Sequence, residues 1–332
     1  MAIVLSCGMQ TLLEDLKGRC GYMDIGVSRS GMLDDYAGRL LNALVGNDDQ
    51  MAAIEIVGGG FTLEFQEETV IAVGGAKLPV TLNDSELPPY TAVAVQPGDV
   101  LKTGRFSKES RGFRQYVAVA GGVAADSYLG STATATYGSF GGYQGRALRK
   151  GDVLTLAPLT DGARAAAGRA IRRDLIPEFT NRWVMRAIPG PDGAPDFFTE
   201  EGMEQFYTTE YKAQVFCDRS GIRLKGPKPL WAPERAAAGG HPSNITDHGY
   251  PGPGCVNVSG DTLILFPREG PTCGGLVCAL SVIRADQWML GQIIPGRDTI
   301  CFTYATQADA IAAARTRNQL FEQGDIFEQG EG

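Results

Sequence analysis

Pro97-Gly98-Asp99-Val100-Leu101 returns as Lys150-Gly151-Asp152-Val153-Leu154 and, one residue longer, as Pro295-Gly296-Arg297-Asp298-Thr299-Ile300. Each time a turn built on Gly and Asp delivers the chain into a short apolar strand. Gly121-Gly122 and Gly274-Gly275 stand about 20 to 30 residues ahead of the second and third copies; in a strand-rich chain, glycine pairs mark bulges or close backbone approach. A duplicated barrel produces such a recurrence, and ordinary hairpin turns produce its Gly-Asp part. On either side the same rhythm continues in Phe61 to Phe65, Val70 to Val73, Ala92 to Gln96, Gln115 to Val119, Val153 to Leu156, Arg182 to Ile188, Thr262 to Phe266 and Thr299 to Thr303. Many short β-rich runs separated by turn residues predict a mostly β chain of sandwich or barrel type with a few short helices.

Helical periodicity is confined to three places. Asp34-Asp35 cap Tyr36 to Val45, where Ala37, Leu40, Leu41 and Leu44 share one face and Gly46 ends the run. Glu200 to Tyr207 and Gln307 to Phe321 are the other two. The Ala-, Arg- and Gly-rich stretch 161–175 reads as a linker between a half at 1–160 and a half at 176–306, with 307–332 as a C-terminal helix or tail. Lys225 to Pro253, which carries both histidines and many Pro and Gly, reads as a long loop or lid.

The chain of 332 residues has room for two cores. Its net charge of −8 and singly scattered Lys and Arg argue against a nucleic-acid groove, which needs clustered cations to displace counterions. No apolar run approaches a membrane span, and Met1 to Cys7 lacks the basic and apolar regions of a signal peptide, so a cytoplasmic location is expected. Seven cysteines, an odd number without CxxC spacing, fit buried thiols in a reducing compartment. His241 and His248 have no Cys or carboxylate at zinc-ligand spacing, so no metal is expected.

The sequence holds no phosphate loop, nucleophile elbow, zinc-protease helix or dinucleotide fingerprint, and no biotinyl-lysine sequence. Gly58-Gly59-Gly60 precedes a strand and reads as a turn. Four polar, glycine-dense segments remain, each with a structural alternative. Gly26 to Asp34 is equally an N-cap loop with Asp34 as the cap. Phe140 to Leu148 is equally a tight loop with a solvated Arg146. In Cys217 to Leu224, Asp218 and Arg219 can simply pair on the surface. Glu269 to Gly275 is the fourth. Together they supply arginines for an anion, exposed backbone N–H groups for an oxyanion and carboxylates for protons, the parts of an acyl- or carboxyl-transfer site.

In order along the chain these segments resemble the family of the 5-oxoprolinase C-subunit and allophanate hydrolase subunit 2, which includes KipA-like proteins and the carboxyltransferase part of urea carboxylase. Thr11 to Tyr22 is similar to its T-x-x-Q-D-x-G-R-x-G-Y opening with one residue added. Gly26 to Asp34, then Arg39, Asn42 and Val45-Gly46-Asn47, resemble its G-V-P-x-S-G-x-x-D … R-x-x-N-x-x-V-G-N signature. Ile54-Glu55, Gly74-Gly75-Ala76, Arg114 to Gly122, Leu129 to Thr132 and Gly141 to Leu148 with Gly151-Asp152 complete the first half, and Phe198 to Tyr211 and Asp218 to Pro227 fit in the second. The chain then departs: Val256-Asn257-Val258-Ser259 stands for I-Q-V-P, and Glu269 to Leu276 for D-x-Q-T-T-G-G-Y. That departure implies a different substrate or lost activity.

The resemblance implies two cyclophilin-like β-barrels, with an active cleft shared between the halves and a further polypeptide of a complex. It implies an ATP-dependent 5-oxoprolinase-type lactam or amide hydrolase. ATP would bind through a complex with KipI-like and LamB/YcsF-like partners. The alternatives are a biotin-dependent carboxyltransferase acting on urea or a related amide, its biotin on a separate carrier, and a non-catalytic KipA-like regulator. By motif position the catalytic candidates are Glu269 for proton transfer, Asp34, and Arg219. Arg146 would hold an anion with Arg219, and Ser30, Thr272 and Gly274 would bind the small amide. Alanine at Arg219 is expected to abolish turnover in a folded chain.

Overall fold

The computed structural model describes residues 1–237, 239–244, 252–270, 272 and 274–328. The chain divides into two compact units. Met1–Cys20, Ser30–Phe179 and Leu320–Gly332 form the first, and Gly21–Arg29 with Thr180–Gln319 the second.

The first unit is built on two antiparallel sheets. One runs Val153–Leu154, Ala2–Cys7, Phe61–Phe65, Val100–Thr103, Val80–Leu82, Ser85–Glu86; the other runs Gln10–Glu14, Ala53–Val57, Arg111–Val119, Thr69–Lys77, Ala92–Val95. Phe61, Leu63 and Phe65 point one way from the first sheet and pack with Ile54, Ile71, Val73 and Val117 of the second. Alternation there follows from a half-buried strand. Thr69–Lys77 is instead buried at every residue except Lys77. The helix Asp35–Leu44 covers its far face, with Leu40, Leu41 and Leu44 against Val70, Ala72 and Ala118. Each such leucine contributes about 2 kcal/mol of burial.

In the second unit seven strands close into a barrel. The order is Arg182–Pro189, Val277–Val282, Cys255–Ser259, Thr262–Leu265, Ile222–Lys225, Glu210–Cys217, Thr299–Tyr304. Closure is made by the one parallel pairing among them, Arg182 opposite Thr299 through Ala187 opposite Tyr304. Trp183, Met185, Tyr211, Leu224, Val258, Leu263 and Phe302 are fully or nearly fully buried. The mostly β expectation holds, with the closed ring in this unit. Among the described residues the α-helices are Asp35–Leu44, Asp161–Arg164, Glu200–Thr208, Pro233–Ala237 and Gln307–Gln323, and none is long and apolar enough to cross a membrane.

The recurrent Gly-Asp segments share one turn chemistry. The Asp99 N–H donates to the Gln96 carbonyl (3.0 Å) while its carboxylate accepts the Gln96 N–H (2.7 Å). Asp152 does the same to Arg149, at 3.1 Å and 2.7 Å. Gly98 and Gly151, at φ 91° and 92°, supply the left-handed residue that such a turn requires. Asp298 accepts the Ile294 N–H (2.9 Å) across a loop lengthened by Arg297. Two copies lie in the first unit and one in the second, so the recurrence reports a turn rather than one mark per barrel.

The stretch 161–175, read as a linker from its composition, folds with the first unit. Ala92 and the segment at 168–169 exchange backbone hydrogen bonds at 2.8 Å, and Ala166 and Ile171 are buried. An unpaired sheet edge explains this: Ala92–Val95 ends its sheet, and the segment satisfies it. The loop expected over Lys225 to Pro253 contains the short helix Pro233–Ala237 and bridges from Trp231 to Phe198 and from Asn244 to Leu276. His248 and Cys273 lie outside the described residues.

Asp298 is fully buried and takes the Trp183 indole N–H (2.9 Å) and the Ile294 N–H. Asp298→Ala strands both donors and is expected to cost about 2–4 kcal/mol, read from urea unfolding; a loss below about 0.5 kcal/mol would show that neither bond matters.

Candidate functional site

In the first unit the loop 30–34 is held by buried side chains on the strands beneath it. The Gly31 N–H donates to Glu14 (2.9 Å), the Met32 N–H to the Asp15 carbonyl (2.8 Å), the Leu33 N–H to Glu55 (3.1 Å) and the Asp34 N–H to the Tyr116 hydroxyl (2.9 Å). Tyr116 donates onward to Glu55 (2.6 Å), whose other oxygen takes the Arg114 Nε–H (3.2 Å). Burial first, then the Glu55 and Asp34 charges, push the Tyr116 hydroxyl well above its ordinary range. Asp15 accepts from Gly18, Ser131 and Thr132 (2.6, 2.6 and 2.8 Å). With their N–H groups so committed, residues 31–34 have no backbone donor left for an oxyanion.

Asp34 caps the helix, its carboxylate accepting the Ala37 N–H at 2.9 Å, as its structural alternative predicts. Ser30 is fully buried with φ 56°, and its hydroxyl has no hydrogen-bond partner among the described residues. Arg146 closes a fork onto Asp152 at 2.8 and 2.9 Å and also donates to Gln144 (3.1 Å) and the Ala147 carbonyl (2.9 Å). Its guanidinium braces the Gly-Asp turn. The Arg146 hydrogen bonds, helped by the Arg149 N–H, hold the Asp152 carboxyl below the usual carboxylate range.

The second unit brings two candidates together. Arg219 Nε donates to Glu269 at 2.8 Å, with the two side chains 4% and 1% exposed, and the Glu269 N–H donates to the Arg219 carbonyl (2.9 Å). The hairpin Asp218 to Gly221 presents Arg219: the Asp218 carboxylate takes the N–H groups of Ser220 (2.7 Å) and Gly221 (3.0 Å). Arg219 thus belongs to a buried pair across 50 residues of sequence. Removing one member of a buried pair costs about 3–5 kcal/mol, which corrects the expectation of a well-folded Arg219→Ala chain.

Glu269 lies at a depression of about 740 Å³ whose lining includes Phe216, Ser220, Arg223, Ile264 and Phe266. A small organic group fits such a volume and such a mix of apolar wall and few polar points. Cys217 also lines it, but burial pushes its thiol up, away from a nucleophilic thiolate at neutral pH. Thr272 stands with its hydroxyl 4.0 Å from where a Cβ on Gly26 would lie, so Gly21–Arg29 passes beside it within this unit. Gly274 is exposed. Sequence reasoning missed Glu55, Tyr116 and Asn257 as individuals, although all three stand inside quoted motifs.

Asp152 yields a signed prediction. Its folded pKa lies below the unfolded value of about 3.9, so its contribution is full above that value and lost as pH falls through the folded one. The stability gap between wild type and Asp152→Asn should therefore be level from about pH 5 to 7 and shrink in acid. A gap that widens in acid contradicts the assignment.

Residues 25–304 match the family model described as carboxyltransferase domain, subdomain A and B. Urea amidolyase of Saccharomyces cerevisiae is 40% identical over 299 residues, covering 89% of this chain and 16% of that protein. The 5-oxoprolinase C-subunit of Escherichia coli is 30% identical over 325 residues, 97% of each. The solved Kluyveromyces lactis urea carboxylase matches with a TM-score of 0.90 at 36% identity, covering 99% of this chain and 30% of that one. The chain spans only 16% of the length of the yeast amidolyases it matches. With most of its length matched, the chain belongs to the carboxyltransferase-domain family and is related to both urea carboxylases and the 5-oxoprolinase C-subunit.

Proposed function

We propose that the chain is the carboxyltransferase component of a biotin-dependent enzyme that moves a carboxyl group onto urea or a related small amide. The observation that carries this is the buried Arg219–Glu269 pair at the depression. A carboxylate there can take a proton from an amide nitrogen as that nitrogen attacks, which is general-base work. Arg219 opposes the Glu269 charge and fixes the carboxylate through its Nε–H. Thr272 and the backbone at Gly274 bind the amide.

The depression also suits biotin, the cofactor this chemistry requires. Phe216, Ile264 and Phe266 offer an apolar wall for its rings and Ser220 a polar point. When bound, carboxylated biotin supplies an activated carboxyl group. The biotin arrives on a separate carrier, and ATP is used on another component of the complex. The higher identity to urea amidolyase, 40% against 30%, favours this over lactam opening.

A second function has its own support: the 5-oxoprolinase C-subunit of Escherichia coli matches end to end. In that case KipI-like and LamB/YcsF-like partners complete an ATP-dependent lactamase, and the same Glu269 serves water instead of an amide nitrogen.

Arg219→Lys keeps the buried charge and removes the planar fork. In the assembled complex it should lower kcat about 100-fold while the melting temperature stays within a few degrees. Unchanged kcat removes Arg219 from the site. The partners recovered with the tagged wild-type chain decide between the functions: a biotinylated carrier supports carboxyl transfer, and a LamB/YcsF-like protein supports lactam opening.

A further inference from the structure

Directly opposed residues of antiparallel strands point to the same face. In the second unit Arg223 lies opposite Ile264, and Ile264 opposite Asn257. The rows on either side, Ile222–Leu265–Val256 and Leu224–Leu263–Val258, are buried and apolar and fill the barrel. Arg223 and Ile264 line the depression. Asn257 therefore stands on the face that the depression occupies, one strand beyond Ile264.

Its side chain is 2% exposed. Nδ2 donates to the Leu276 carbonyl at 3.3 Å. A carbonyl only accepts, so this bond fixes which way the amide faces. Oδ1 is then left buried with no partner among the described residues. An acceptor stranded in this way destabilises a fold, and buried groups that stay unsatisfied call for an explanation. A donor that arrives with a ligand provides one.

We propose that Asn257 is a specificity-determining residue whose Oδ1 accepts an N–H of the substrate, which restricts this site to ureas and amides that carry one. The identity of the substrate class as urea-like rests on the carboxyl-transfer function; the location of Asn257 does not. A substrate alkylated on every nitrogen leaves Oδ1 stranded and is rejected, because a site built for a hydrogen bond penalises the analogue that lacks it.

The test is calorimetric binding to the full chain of 2-imidazolidinone, a cyclic urea with two N–H groups, and of its N,N′-dimethyl analogue. Wild type should bind the N–H compound at least about tenfold more tightly. Asn257→Leu removes both the donation to Leu276 and the acceptor, while Asn257→Asp buries a carboxyl at a 2% exposed position, so the melting temperature of Asn257→Asp should fall further. Only Asn257→Asp retains an acceptor oxygen, so it should keep the preference while Asn257→Leu loses it. No binding by wild type, no preference, or equal loss in both variants overturns the proposal; equal loss would assign Asn257 to holding the backbone at 276. Turnover of urea by the wild-type complex is measured separately, so failure of the carboxyl-transfer function is seen independently of these titrations.

Discussion

A carboxylate removed from water must be surrounded by donors, and this chain meets that constraint at several points where a loop joins a sheet. Glu55 takes a tyrosine hydroxyl, an arginine and a backbone N–H. Asp15 takes three donors from two segments more than 100 residues apart in sequence. Asp298 takes an indole and a backbone amide, and Glu269 takes Arg219. A buried charge left bare costs several kcal/mol, so each carboxylate permits few positions for the segments around it. The loops are positioned by these anions more than by their own conformational preferences.

This explains why motifs scattered over the first half belong together. Glu14-Asp15, Ile54-Glu55, Arg114 and Tyr116, and Ser131-Thr132 are far apart in sequence, yet their polar members form one network around residues 18 and 31–34. They hold a loop and a helix start. Glu269, by contrast, is both buried and at the edge of a depression, which separates it from the purely supporting carboxylates.

Strands were legible because alternation and turn residues are local signals: Phe61–Phe65 was read to the residue, and the helix Asp35–Leu44 followed from its capping aspartate and four apolar positions. The segment 161–175 was not legible, since its hold on the first unit comes through backbone bonds to Ala92, which composition does not encode. The allocation of Gly21–Arg29 to the second unit was equally silent. At the site, Arg219 and Glu269 were named separately, but their pairing beside two neighbouring strands is a non-local fact. Asp34 and Arg146 illustrate the converse: a polar residue in a glycine-rich turn is first a satisfier of backbone and turn groups. Asn257 escaped notice because its signal, an oxygen with no partner, exists only in the folded chain.

The central claim is that the chain passes a carboxyl group to an amide nitrogen. Its most direct test is to supply the purified chain, together with the proteins that accompany it, with a carrier bearing 13C-carboxylated biotin and with urea, and to follow the label by NMR. The predicted result is a new 13C resonance of a carboxyl group bonded to a urea nitrogen, formed only when the chain is present. Release of all label as bicarbonate, at the same rate with and without urea, would contradict it.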